Sequence, residues 1–431
     1  MDTPDVCPSS AVPATRRRWR APLIVGVAVV VILAVVGAGL GLRVLLGRAD
    51  FSSPAASTIE DVPSTWTEGS HQTWTLDVGD HADIVVNGDQ LAVGTSDSSY
   101  ALVQVSAYDV SGTEPEKQWE AKVDQEYGQL AYWDEWITIG GNQLLKASDG
   151  TPATAGWDED TTPVFIGAYA LTCDKDDRCA GWSASDPTTP LWVRYIEGAS
   201  FGMETAYYNW AVHDDTLVTL IAQDTVVRLE DGTLIDLEIS STDYVLPLAD
   251  GWLVVHYVGE GFGVLSPSGE QVDSFQGTWP ESPEETHVNL FSSPRPTAEQ
   301  MRALLVDGDH SWAAVTSVMD ANATDGCPVT LTMGEHTLVP AWPNGECVYR
   351  EGSTWYDLSS DGSLLMYVIG SPAQTGSSVR LIGMWSVADG QFLSFAGSSP
   401  DRQQMWLVSP ELVLALDVEH EQVTAYAPGT G

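Results

Sequence analysis

This sequence predicts an all-β fold: a β-propeller of four-stranded blades, preceded by one N-terminal transmembrane helix. Three observations carry that expectation. A layout of four short apolar strands recurs along most of the chain. Helical periodicity is nearly absent outside one short stretch. Residues 23–42 form a single uncharged apolar run near the start.

The repeat is clearest in "DIVVNGDQLAVG…ALVQVSAYDVSG…KQWEAKV", and "GQLAYWDEWITIGGNQLLKASDGTPATAGW" follows directly. The layout returns in "YYNWAVHDDTLVTLIAQDTVVRLEDGTLIDLEI", "YVLPLADGWLVVHYVGEGFGVLSPSGEQVDSF" and "TWYDLSSDGSLLMYVIG…SVRLIGMWSVADGQFLSF". Strand segments are rich in Val, Leu, Ile, Trp and Tyr. The turns between them use D-G, N-G, S-G and D-D, which favour the backbone geometry of tight hairpins. Seventeen Trp and 39 Gly against eight Phe suit such a chain. A repeat of roughly 40–50 residues with four strands is the signature of a propeller, whose blades bury their faces only against one another. The exterior length gives seven to nine units; the visible copies give eight, with seven the alternative. One short helix is expected in "PRPTAEQMRALLVDG", around Met301.

The final copy, "RQQMWLVSPELVLALDVEHEQVTAYAPGTG", supplies three strands and stops. Its fourth is expected from "HQTWTLDVG", His71 to Gly79, so that the two ends of the repeat region pair. Such closure removes the edge that an incomplete blade would expose.

The apolar run from Leu23 to Leu42 has the roughly 20 residues needed to span a bilayer, longer than the apolar core of a cleaved signal peptide. Arg16, Arg17, Arg18 and Arg20 precede it, with Arg43 and Arg48 behind. Basic residues stay cytoplasmic, so the N-terminus is expected inside and the remainder outside. The expected organisation is a cytoplasmic tail over 1–20, a signal anchor over 21–46, a flexible stalk rich in Ser, Thr and Pro over 47–70, and the extracytoplasmic propeller over 71–431. The expected localisation is the cell membrane, single-pass.

Beyond Arg48 lie 12 basic and 58 acidic residues, a net charge of −46. That balance excludes nucleic acid, which demands clustered Lys and Arg. It suits a soluble exterior surface, and it attracts cations or basic partners.

Five cysteines divide in the same way. Cys7 is alone on the cytoplasmic side, leaving Cys173, Cys179, Cys327 and Cys347 on the oxidising side. Three connectivities fit four cysteines. Nearest-neighbour pairing, Cys173–Cys179 and Cys327–Cys347, is expected because each closes a short loop within one unit. In "CDKDDRC", Asp174, Asp176 and Asp177 offer hard oxygen ligands that could hold Ca²⁺, although Lys175 and Arg178 compensate the charge internally. A stapled, solvated loop is the simpler expectation. No zinc site is expected: CxxC, HExxH and HxH spacings are all missing.

The segments "VSAYDVSG…W", "LLKASDGT…W" and "GMWSVADGQFLSF" resemble the tryptophan-docking repeat of the pyrroloquinoline-quinone-like β-propellers, which runs A-x-D-x-x-T-G-K-x-x-W. The resemblance covers about residues 71–431. The Gly-to-Trp spacing varies between copies, and Lys is mostly replaced. The resemblance implies an eight-bladed ring with tryptophans wedged between blades. That family holds quinone-dependent dehydrogenases and also non-catalytic scaffolds, so fold does not decide activity.

Chemical signatures are sparse. The adjacent cysteine pair that often clamps the quinone in such dehydrogenases is missing, and no cofactor is expected. "GASFG" around Ser200 matches a nucleophile motif but lacks the strand–turn–helix context that motif needs. "GEGFG" at 259–263 and "HDD" at 213–215 read as hairpin turns. The expected function is a non-catalytic binding or scaffold protein of the cell envelope with a protein partner; the sequence names no small-molecule ligand. The alternative is a propeller enzyme, quinone-dependent or hydrolytic, whose active site the sequence does not identify.

Overall fold

The computed structural model describes residues 59, 61–79, 81–125, 130–199, 209–213, 216–240, 243–256, 261–279, 287–288, 295–319, 327–348, 354–369, 379–393, 395, 403–417 and 421–429. The expected anchor over 21–46 and the orientation of the chain across a membrane lie outside these residues. Among the described residues no helix is long and apolar enough to cross a membrane.

Six antiparallel four-stranded sheets follow one another along the chain. They span residues 82–125, 131–154, 164–195, 210–236, 244–276 and 287–338. A seventh sheet has seven strands and joins two units. Its first three strands are Thr354–Leu358, Leu364–Ile369 and Val379–Ser386, with a short bridge from Trp385 to Phe392 as their continuation. The others are Gln403–Ser409, Leu412–Asp417, Gln422–Pro428 and Ser70–Asp77. The two groups meet where Val379, Arg380 and Leu381 face Leu407, Trp406 and Met405.

The packing between units arranges them in a circle. Eight hydrophobic clusters each draw on two successive units. One joins Ala92 and Leu102 of the first sheet to Leu130 and Ile137 of the second. The last joins Trp406, Leu414 and Ala425 of the final unit to Ile84, Leu91 and Val93 of the first. No unit buries both faces alone, so the core is distributed around the ring, as in a β-propeller.

Closure occurs as the sequence predicts. Strand Ser70–Asp77 pairs antiparallel with Gln422–Pro428, with His71 opposite Ala427 and Trp74 opposite Ala425. Trp74 is buried between the final and first units.

The segment expected as a flexible stalk ends earlier than residue 70. Ile59, Val62 and Trp66 are buried in the cluster between the last two units. Trp66 is 0% exposed, lies edge-on to Phe395 with ring centroids 5.9 Å apart, and donates from Nε1 to the Pro410 carbonyl at 2.9 Å. The short 3₁₀ turn Ser64–Glu68 therefore belongs to the folded body. Its polar composition concealed one large apolar anchor.

Tryptophan docking between units is present and explains the departures from the repeat. Trp119, on the outer strand Glu116–Gln125, donates from Nε1 to the Ala147 carbonyl of the second sheet at 2.7 Å. Its ring lies on Gly150, where a Cβ would meet Trp119 Cε3 at 2.6 Å. Trp192 repeats this on the fourth sheet, with Nε1 2.8 Å from the Leu229 carbonyl and the ring against Gly232. The acceptors open Ala147-x-Asp149-Gly150 and Leu229-x-Asp231-Gly232, the two ends of one turn motif. Where Trp is lacking, Ile235 packs at Gly269 and Leu338 at Gly390, so an aliphatic side chain takes over the wedge.

The expected helix is short: Ala298–Arg302 continues as a π-helical turn over Ala303–Asp307. Thr297 and Gln300 form a capping box at its start. This insertion packs Met301, Leu304 and Leu305 on the fifth sheet.

Candidate groove between the third and fourth sheets

A cavity of about 840 Å³ opens between the third and fourth sheets. One wall is Tyr195–Gly198, where the outer strand Trp192–Tyr195 ends. The other is the turn from Leu220 to Thr225, together with Leu234 on the outer strand Leu234–Asp236. The turn is closed by the Ile221 N–H donating to the Thr225 carbonyl at 3.0 Å and tied outward by the Leu237 N–H donating to the Asp224 carbonyl at 2.8 Å. Ile196, Ile221 and Ala222 belong to the cluster between these sheets and form an apolar floor.

The rim differs from the floor. Tyr195 is 67% exposed and Leu234 is 41% exposed, so large apolar groups face solvent at the mouth. Glu197 and Asp224 are the charged lining residues, and no Lys or Arg lines the cavity. Asp224 accepts from the Thr225 hydroxyl at 3.1 Å. Arg178 is opposite Tyr195 in the strand ladder but stands outside the lining.

The "CDKDDRC" loop buttresses this wall. Cys173 and Cys179 face each other in the ladder and are disulfide-bonded, as expected; Cys327 and Cys347 form the second bridge. Within the loop, Asp174 Oδ1 accepts the N–H groups of Asp176 and Arg178 at 2.9 and 3.0 Å. Asp177 sits at φ 59°, a left-handed conformation uncommon for a residue other than glycine. From there its carbonyl accepts the Ile196 N–H at 2.9 Å and its Oδ2 accepts the Gly198 N–H at 3.0 Å. The candidate calcium ligands Asp174, Asp176 and Asp177 are thus not gathered on one point. Two of the three carboxylates bind backbone donors, and among the described residues no group of three His, Cys, Asp or Glu could hold a metal ion. Ser200 of the "GASFG" motif lies outside the described residues.

Much of the acidic composition has a structural use. Asp97, Asp109, Asp149, Asp186 and Asp361 each accept both the hydroxyl of a Ser or Thr two residues on and, next in importance, its backbone N–H; these bonds hold the carboxyls below the usual range. Such local bonds close turns. One described carboxyl moves the other way. Asp134, in the hairpin turn after Trp133, is held above the usual range by burial and then by Glu135.

Two histidines lie near groups that the sequence reading left separate. His213 is buried, with Nε2 3.2 Å from the Leu248 carbonyl and its ring edge-on to Trp252. His256 Nδ1 lies 3.1 Å from Oδ2 of the buried Asp243. The ladder pairs Tyr244 with Val255, so one further step puts Asp243 opposite His256. That register was the available signal. For the groove, the signal was "LWVRY", apolar on both faces of an outer strand where alternation is ordinary.

No protein family matches the chain by sequence, and no curated protein matches it. Solved structures do resemble it. The crystal structure of BamB from Moraxella catarrhalis shares 13% identity over 83% of this chain and 97% of that one, with a TM-score of 0.35. Sqt1 from Chaetomium thermophilum shares 11% identity over 83% and 99%, at 0.41. A europium-containing methanol dehydrogenase shares 11% identity over 84% and 94%, at 0.36.

Proposed function

We propose that the chain is a membrane-anchored, non-catalytic binding or scaffold protein of the cell envelope, with its propeller outside the cell. The observation that carries this reading is the groove, where Tyr195 and Glu197 on one wall face Leu234 and Asp224 on the other, and the first wall is tied by Asp177 to a disulfide-stapled loop. An apolar recess with a few placed polar groups, on a rigid scaffold, is the form of a recognition site. The uncharged run from Leu23 to Leu42 and the arginines before it support the anchor and the orientation.

The enzyme alternative has no comparable support. Asp134 lies in the second sheet and the Asp243–His256 pair in the fifth, and neither lines the cavity. The test is affinity capture from native membranes with the full-length chain as bait. Reproducible recovery of one envelope protein is the expected result. Recovery of a small molecule with no protein partner would overturn the reading.

A further inference from the structure

We infer that the groove between the third and fourth sheets docks an extended cationic peptide whose basic residues alternate with apolar ones, an inference that rests on the binding reading above. Three independent features select this occupant.

The first is the edge itself. The strand Trp192–Tyr195 is the last of its sheet, and among the described residues no strand pairs with its outward edge. Natural edge strands are commonly guarded by charge, and the outer strand of the first sheet is, with Lys117, Glu120 and Lys122 along it. The third sheet's edge carries a single charged side chain, Arg194, and Leu191, Val193 and Tyr195 are 45%, 36% and 67% exposed at alternate positions beside it. An added strand gains main-chain hydrogen bonds there and places alternate side chains against those groups.

The second is charge. Glu197 and Asp224 supply the groove's charge and no basic residue offsets them within the lining. Arg194 on the edge strand and Arg178 on its neighbour lie outside the lining. A second copy of this chain, carrying a net charge of −42, is repelled. A peptide with spaced arginines or lysines is attracted.

The third is preorganisation. Asp177 holds Ile196 and Gly198 from a loop that the Cys173–Cys179 bridge locks, so the wall is set before a ligand arrives. The cavity's volume of about 840 Å³ falls within the range of ligand sites.

The experiment titrates the detergent-purified full-length chain against fluorescein-labelled hexapeptides of alternating arginine and leucine, arginine and serine, or glutamate and leucine. The expected result is saturable one-to-one binding of the arginine–leucine peptide, weakened by salt, with the other two at least about tenfold weaker. The double variants Glu197→Gln/Asp224→Asn and Tyr195→Ser/Leu234→Ser should each weaken binding about tenfold while leaving the melting temperature in place. Unchanged binding in both variants would place the peptide elsewhere on the acidic surface and overturn the inference. Equal binding of the arginine–serine peptide would reduce it to bulk charge and overturn it as well. Displacement of the peptide by calcium chloride that is abolished in Glu197→Gln/Asp224→Asn would assign the carboxylates to a cation instead. If membrane capture recovers a partner equally with wild type and Tyr195→Ser/Leu234→Ser, the groove fails and the scaffold reading stands. If the peptide binds as expected and no partner is captured, the reverse holds.

Discussion

Trp192 donates from its indole nitrogen to the carbonyl of Leu229 at 2.8 Å, and its ring closes over Gly232 in the same turn. One side chain thereby fixes the angle between two units by a hydrogen bond and a stacking contact together. Gly232 is at φ 69°, and a Cβ there would lie 2.6 Å from Trp192 Cγ and Cδ2. Gly232→Ala should therefore destabilise the chain by about 1–3 kcal/mol, through left-handed strain and displacement of the indole. Trp192→Phe should cost about 1–2 kcal/mol from the lost donor alone. Thermal melting of both checks the order; an unchanged Gly232→Ala variant would refute the docking account.

Deleting Ser70–Asp77 should remove the strand that pairs with Gln422–Pro428 and leave the last unit with an open edge. The expected outcome is a lower, broader unfolding transition and concentration-dependent association. Unfolding that matches the intact chain in midpoint and sharpness would show that closure contributes nothing.

Trp66 lies wholly inside the cluster joining the last two units. Trp66→Ala should cost about 3–5 kcal/mol, since a large cavity opens in a region that barely relaxes. Denaturant unfolding measures this directly. A cost below about 1 kcal/mol would mean that the segment does detach readily, as a stalk would.

Asp361 accepts the Ser363 hydroxyl and N–H at 2.6 and 2.9 Å and the hydroxyl of the buried Ser359 at 2.8 Å. These bonds, that from the Ser363 hydroxyl first, hold its carboxyl below the usual range. Its folded pKa is thus below its unfolded one, so its contribution is present above about pH 4 and fades as pH falls through the folded value. Asp361→Asn keeps an acceptor but cannot titrate. It should melt slightly below wild type at pH 7 and converge with it as acidification protonates the wild-type carboxyl, whereas Asp361→Ala should melt lower than both at pH 7. A wild-type–Asn gap that does not narrow on acidification would show that the lowered carboxyl adds no stability.

The Cys173–Cys179 and Cys327–Cys347 bridges close loops of different length. Loop entropy assigns the longer one about 3 kcal/mol and the shorter about 2. Cys173→Ala/Cys179→Ala should also loosen the wall that Asp177 holds, weakening groove binding beyond its effect on melting. Hydrogen exchange at the Ile196 and Gly198 amides reads that loosening. Unaltered exchange there would mean that Asp177 keeps its place without the staple.

Local chemistry already specifies much of this molecule. Runs of β-branched and aromatic residues punctuated by D-G, N-G and S-G turns define strands and hairpins, because each depends on a few neighbouring residues. Pairing of Trp74's strand with the chain end was legible too, since a three-stranded last copy leaves one complement in the sequence. Cysteine spacing indicated the pairings for a similar reason: short loops close most easily. Tertiary structure alone decided which turn carbonyl each indole meets, that Trp66 plugs two units rather than riding a stalk, and that Asp177 braces a wall 19 residues away at Ile196. It also decided where a groove opens. Those outcomes depend on the angle between successive sheets, set by side chains from distant segments packing together, and no local window of sequence contains both partners.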